Sequence, residues 1–299
     1  RLPTLCLSLL FAFAGVLPAA ETPAVPKAPD GLVVLTFDDS VASHATFVAP
    51  LLKKYGFGAT FYITEGFEFL KDKEHYLTWE QIKALHVAGF EVGNHTKAHK
   101  AVSGQKPADI AADLEHIEKR CIENGIPVPT TFSYPAYATS PAATEVLRSR
   151  GYILARAGGA RVFDPAKDDP LTLPQAFDSK PDSTLAQFKA AITQARDGKI
   201  AVLTFHGVPD IKHPWVNTDP VKFEAYMQAL KESEQRGREE LMALRIQQFD
   251  RTAASPLATD RAEFGELVFG AKQGDPTGFG GAIQLIQAAV FKQSHDVAL

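Results

Sequence analysis

Three observations predict an α/β fold on a mostly parallel sheet. Short apolar, β-branched runs alternate with helix-like segments from Gly31 onward. The runs are apolar on both faces, as strands covered by helices on each side must be. Polar clusters stand directly after several of them, where chemistry gathers in parallel α/β folds. Two closures fit this pattern, a barrel or an open doubly wound sheet. The Gly-x-Gly-x-x-Gly turn of a dinucleotide fold is absent after the first run, which ends instead in two aspartates.

Taken in order, Leu32 to Phe37 reads as the first strand and Phe47 to Tyr55 as a helix stopped by Gly56. Ala59 to Ile63 is the second strand. Thr78 caps a helix through Ala88, with Gln81 three residues on completing a capping box. Phe90 to Gly93 is a strand, and a long amphipathic helix runs from about Ala108 to Asn124, ended by Gly125 and Pro127. Thr131 to Tyr134 is a strand. Ser140 caps a helix from Pro141 to Ser149, with proline at its first position. Tyr152 to Ala155 is a strand, Ser183 to Arg196 a helix, Ile200 to Phe205 the last clear strand, and Asp219 to about Glu232 a helix.

The flanks differ from this body. Arg1, an apolar run from Leu5 to Val16 and the small residues Ala19 and Ala20 have the layout of a secretory signal peptide. The run is shorter than the roughly 20 residues of a membrane span. Residues 1–20 are therefore expected to be removed, leaving no stable membrane span and a secreted, periplasmic or cell-envelope protein. Residues 21–30 hold three prolines and read as an extended linker. Residues 31–249 form the expected domain. Residues 250–299 are glycine-rich and then apolar, an extension to which the sequence assigns no role. A net charge of −4 argues against a nucleic-acid partner. Of two cysteines, Cys6 lies in the signal and Cys121 is left alone, which excludes a disulfide framework and a cysteine metal site.

Three polar clusters could carry chemistry. Asp38 and Asp39 follow the first strand. Buried side by side they would repel, a conflict that a cation on one of them resolves while leaving the other as a base; otherwise both merely cap the next segment. His95 and His99 are four apart, so on a helix their imidazoles share one face and converge on one ion; otherwise they are exposed loop histidines. His206 stands at the end of the last strand, a position suited to acid–base work near neutral pH or to a structural role.

In their order and separation these clusters resemble the motifs of the polysaccharide deacetylase family, the NodB-homology or carbohydrate esterase 4 family. Thr36-Phe37-Asp38-Asp39 is similar to its first motif, Asn94-His95-Thr96-Lys97-Ala98-His99 to its second and Leu203-Thr204-Phe205-His206 to its last. The resemblance covers about Gly31 to Arg245. It implies a distorted (β/α)-barrel of about seven parallel strands. It also implies Asp38 as general base, His206 as general acid, and Asp39, His95 and His99 as ligands of a divalent metal, zinc first, with cobalt or nickel as alternatives.

The resemblance has gaps. In Phe132-Ser133-Tyr134-Pro135-Ala136-Tyr137, Ser133 stands where the family has the arginine that steadies the catalytic aspartate, and Ala136 where tyrosine is usual. Arg156, after the next strand, is the expected substitute. Tyr134, Pro135 and Ala136 are candidates for the oxyanion and substrate site, the Ala136 backbone N–H in particular. Ser40 replaces the usual glycine. Asp178 and Asp182 are candidate partners for His206, His213 reads as structural, and Trp215 is a candidate sugar platform or a core residue. The implied substrate is an N-acetylhexosamine polymer or oligomer, hydrolysed to acetate and a free amine. Alternatives are an acetyl-ester esterase of the xylan type, a small-amide hydrolase, or a sugar-binding pseudoenzyme; a nucleotide-dependent enzyme lacks a phosphate loop.

Overall fold

The chain is seen in a computed structural model that describes residues 28 and 30–252. The expected signal peptide (1–20), nearly all of the linker (21–30) and all but the first residues of the extension (250–299) lie outside the described residues. Among the described residues, no helix is long and apolar enough to cross a membrane.

Seven parallel strands form the centre: β1 (Val33–Phe37), β2 (Thr60–Ile63), β3 (Glu91–Asn94), β4 (Thr131–Ser133), β5 (Leu154–Arg156), β6 (Phe177–Asp178) and β7 (Ala201–Phe205). Their spatial order is β5-β4-β3-β2-β1-β7-β6. The seam between β5 and β6 is crossed by one irregular segment. Leu173 exchanges backbone hydrogen bonds of 2.8 Å with Ala155 and Ala157. Four residues later the same segment pairs with β7 at Phe177 and Asp178. The sheet is thus a distorted (β/α)-barrel rather than an open doubly wound sheet. β6, two residues long, is missing from the sequence reading because so short a strand shows no periodicity.

Period-two alternation sets what faces where. Leu35, Phe37, Phe61, Ile63, Leu203 and Phe205 point outward into a core shared with helices α1 (Ala49–Tyr55), α2 (Trp79–Val87), α5 (Leu185–Ile192) and α6 (Pro220–Thr252). Each such side chain, fully buried, stabilises the fold by about 1.5–3 kcal/mol. The alternate residues Val34, Thr36, Thr60, Tyr62, Thr131 and Arg156 line a small cavity inside the barrel. Asp38 and His206 continue the inward phase of Thr36 and Thr204. Helices α3 (Pro107–Glu123) and α4 (Pro141–Ser149) cover β4 and β5 through a second apolar cluster.

Helix ends follow local chemistry. Thr78 forms the expected capping box with Gln81, and Ser140 accepts from the Ala143 N–H. Thr184 forms a second capping box, with Gln187, so α5 starts later than Ser183 and is shorter than expected. Helix α6 runs past Glu232 to Thr252.

Candidate active site

The ends of β1 and β7 are in register, Phe37 beside Phe205, and Asp38 N–H donates to the Phe205 carbonyl at 3.0 Å. Asp38 and His206 therefore emerge side by side. On the other flank His95 N–H donates to the Ile63 carbonyl at 2.9 Å, so His95 leaves β3 at the same level.

The backbone around these residues is unusual. Asp39 (φ 73°), Ser40 (φ 55°), Thr96 (φ 64°), His99 (φ 52°), Ala136 (φ 53°) and Tyr137 (φ 57°) are all non-glycine residues in the left-handed region. Such conformations cost on the order of 1 kcal/mol or more each and concentrate at functional sites. Local hydrogen bonds hold them. The Ser40 hydroxyl donates to the Thr64 carbonyl at 2.8 Å and accepts from the Thr64 N–H at 2.9 Å. Asn94 Oδ1 accepts from Thr96 N–H at 2.9 Å, while its amide nitrogen donates to the Leu114 carbonyl and the Tyr152 hydroxyl. The helical route to bringing His95 and His99 together is corrected here. Residues 95–100 form no helix, and two left-handed residues turn the chain so that the imidazoles meet, with ring centroids 4.8 Å apart.

Asp39 Oδ1 lies 3.3 Å from His95 Nε2 and 3.0 Å from His99 Nε2. It is buried, yet no donor addresses it with hydrogen-bond geometry. The three ligand atoms all fall within 4.8 Å of one another. His95 Nδ1–H donates to the Ser133 carbonyl at 2.7 Å, which leaves the Nε2 lone pair facing Asp39. An orphaned carboxylate oxygen with two imidazole lone pairs fits a divalent cation of the zinc, cobalt or nickel type.

Asp38 is paired with Arg156, whose guanidinium donates to Asp38 Oδ2, to Ser133 Oγ at 2.5 Å and to Gln175 Oε1 at 2.8 Å. Arg156 is only 1 % exposed. Burial acts to raise the Asp38 carboxyl, but Arg156 and the neighbouring His95 and His206 overcome it and hold Asp38 below the ordinary range. Asp38 Oδ1 has no hydrogen-bond partner and remains free to accept a proton. Gln175, unmarked in the sequence, is fixed from its other side by Thr204 Oγ1 at 2.6 Å.

His206 Nε2 lies 4.0 Å from Asp39 Oδ2, and its Nδ1 is buried without a partner. Neither candidate acid reaches it: Asp178 is taken by Tyr137 and Lys180, and Asp182 is exposed. His44, which the sequence did not single out, holds the His206 carbonyl through Nε2 at 3.0 Å. The Tyr134 ring belongs to the second core cluster, with its hydroxyl on the Leu171 carbonyl at 2.9 Å, so this side chain is packing and not a surface for substrate. Pro135 is buried and Ala136 exposed beside it. Trp215 is 65 % exposed, which removes the core alternative.

The sequence profile of the family described as "Polysaccharide deacetylase" matches residues 26–155. A curated relative, "Putative polysaccharide deacetylase YxkH" of Bacillus subtilis (strain 168), is 28% identical over 127 residues, which is 42% of this chain and 44% of that protein. The match thus spans less than half the length of that relative. Two solved structures share the fold. A putative polysaccharide deacetylase from Mycobacterium smegmatis has a TM-score of 0.51 at 17% identity, covering 81% of this chain and 99% of its own. The chitin deacetylase of Colletotrichum lindemuthianum has a TM-score of 0.50 at 19% identity, covering 71% and 86%. The profile match lies across β1 to β5 with the motifs in order at the strand ends, so residues 26–155 of the chain resemble the polysaccharide deacetylase family.

Proposed function

We propose that the protein is a metal-dependent hydrolase that removes N-acetyl groups from an N-acetylhexosamine-containing polysaccharide or oligosaccharide. The observation that carries this reading is the group of buried Asp39 and His95 with partly buried His99, flanked by a free Asp38 oxygen and by His206. The printed name of the chitin deacetylase neighbour supports the amide substrate. The N-terminal signal pattern supports export to where such polymers lie.

A divalent cation on Asp39, His95 and His99 would supply Lewis-acid polarisation of the acetyl carbonyl and bring a water toward ionisation near neutral pH. Asp38 Oδ1 takes the proton from the attacking water. Arg156 keeps that carboxylate ionised and oriented until the proton arrives. The backbone N–H of Ala136 donates to the developing oxyanion, a contact worth roughly 3–4 kcal/mol in such sites. His206 gives its proton to the departing amine nitrogen.

A second reading, an O-acetyl esterase, is favoured by one observation. His206 Nδ1 has no acidic partner to support its protonated form. An alcohol leaves with less help from proton transfer than an amine, so an ester depends less on His206.

The test is acetate release from an N-acetylglucosamine oligomer and from acetylated xylan, with zinc or EDTA, for wild type and Asp38→Asn. Release from the oligomer, abolished by EDTA and by the substitution, supports the amide reading. Release from xylan alone moves the activity to esters. No release from either, with metal stoichiometrically bound, overturns both.

A further inference from the structure

Four aromatic rings run outward from the proposed metal site. Phe67 lies against His99, with centroids 4.4 Å apart, and against His213 at 4.5 Å. His213 in turn lies 5.4 Å from Trp215. These are spacings of paired aromatic rings. Two members face solvent, Phe67 at 47% and Trp215 at 65% exposure. An exposed phenylalanine held at φ 56° is a costly arrangement that hydrophobic burial does not explain.

The row is built rigidly. His213 donates its backbone N–H to Asp210 Oδ1 at 2.9 Å and its Nδ1–H to Asp210 Oδ2 at 3.2 Å, and its Nε2 meets the Tyr76 hydroxyl at 3.3 Å. Lys212 ties the two loops together through Asp72 at 2.8 Å and Glu68 at 3.4 Å. Leu77 N–H donates to the Ser40 carbonyl at 2.8 Å, anchoring the Phe67 loop to the aspartate motif. His213 and the two loops are thus fixed relative to the site, which limits the order that has to be gained on binding.

We propose that Phe67 and Trp215, with His213 between them, form a subsite that stacks the apolar face of a pyranose ring adjoining the acetylated sugar, and so select glycan chains over isolated acetylated sugars. This rests on the reading of the site as a carbohydrate deacetylase. The occupant is a sugar chain because the row starts at a proposed metal ligand, His99, and continues away from it to the exposed Trp215, so a ring seated there adjoins the sugar whose acetyl group is at the site. Flat, exposed rings with little conformational freedom suit the C–H face of a sugar.

The chain has two tryptophans, and Trp79 is only 7% exposed, so solvent-sensitive emission reports mainly on Trp215. The full chain, as wild type and as Asp38→Asn so that acetyl groups stay in place, is titrated with β-1,4-linked N-acetylglucosamine tetramer and with xylotetraose. A saturable change in emission is expected with at least one of them. By calorimetry, Phe67→Ala and Trp215→Ala weaken that affinity by about 3–10-fold, the range of one aromatic contact. Trp215→Tyr restores most of it, and Val87→Ala, on the exposed face of α2, leaves it as in wild type. The subsite is overturned if neither glycan perturbs Trp215, or if both alanine variants bind as tightly as wild type. Acetate release separates this from the parent reading. Saturation of Trp215 without turnover keeps the subsite and refutes the deacetylase, whereas turnover with an unresponsive Trp215 does the reverse.

Discussion

Arg156 reaches Asp38 from strand β5 across the hydroxyl of Ser133, its register partner on β4. Residues paired in a parallel sheet present their side chains on the same face. A guanidinium can therefore arrive at Asp38 from either strand end, and here the serine on β4 leaves room for the arginine on β5.

Arg156→Ser should lower kcat by about 10²–10³-fold, within the range for losing general-base catalysis. Installing Ser133→Arg in that background returns the guanidinium from the other strand and should recover at least a tenfold part of the loss. Steady-state kinetics of the two variants decide the matter. A double variant no faster than Arg156→Ser would falsify the equivalence of the two positions.

Metal binding and proton transfer should separate by residue. His95→Ala and Asp39→Ala should lose stoichiometric zinc, measured by metal analysis after dialysis. His206→Ala should retain it while kcat falls by about 10²–10⁴-fold. Loss of zinc from His206→Ala would place that histidine among the ligands instead.

His44 gives the fold a pH dependence of definite sign. It is buried between Phe37 and Phe61, and burial pulls its imidazole down to about 4. The unfolded chain binds this proton near pH 6.5, so the stabilisation from keeping His44 neutral is complete above that value and declines as pH falls toward 4. Between pH 7 and pH 5 wild type should lose about 2 kcal/mol more stability than His44→Phe. Urea denaturation at the two pH values measures it, and equal losses would reassign the charge burial to another group.

Tyr134→Phe removes one buried hydrogen bond, to the Leu171 carbonyl, and should cost about 1 kcal/mol of stability. KM for an acetylated oligomer should stay within twofold of wild type, because the ring lies in the core. A KM raised tenfold with unchanged stability would return Tyr134 to the substrate site.

The alternation of strands and helices, the capping box at Thr78, the N-cap at Ser140 and the position of each motif at a strand end are legible in the residues alone. These are local matters of periodicity, cap chemistry and glycine stops. The sequence also marks Asp38, Asp39, His95, His99 and His206, because titratable residues directly after apolar strands stand out. The remaining contacts depend on how the chain folds back on itself. Left-handed turns, not a helix, bring His95 and His99 together, and nothing in their spacing distinguishes the two. Gln175 and His44 support the site from elements more than 15 residues away from the motif residues they touch, Arg156 and His206. Tyr134, just past the end of β4, turns into the core against Phe132. The row from His99 to Trp215 exists only because the barrel sets two distant loops side by side. Spacing along the chain specifies which groups are available, and the closure of the sheet specifies which of them meet.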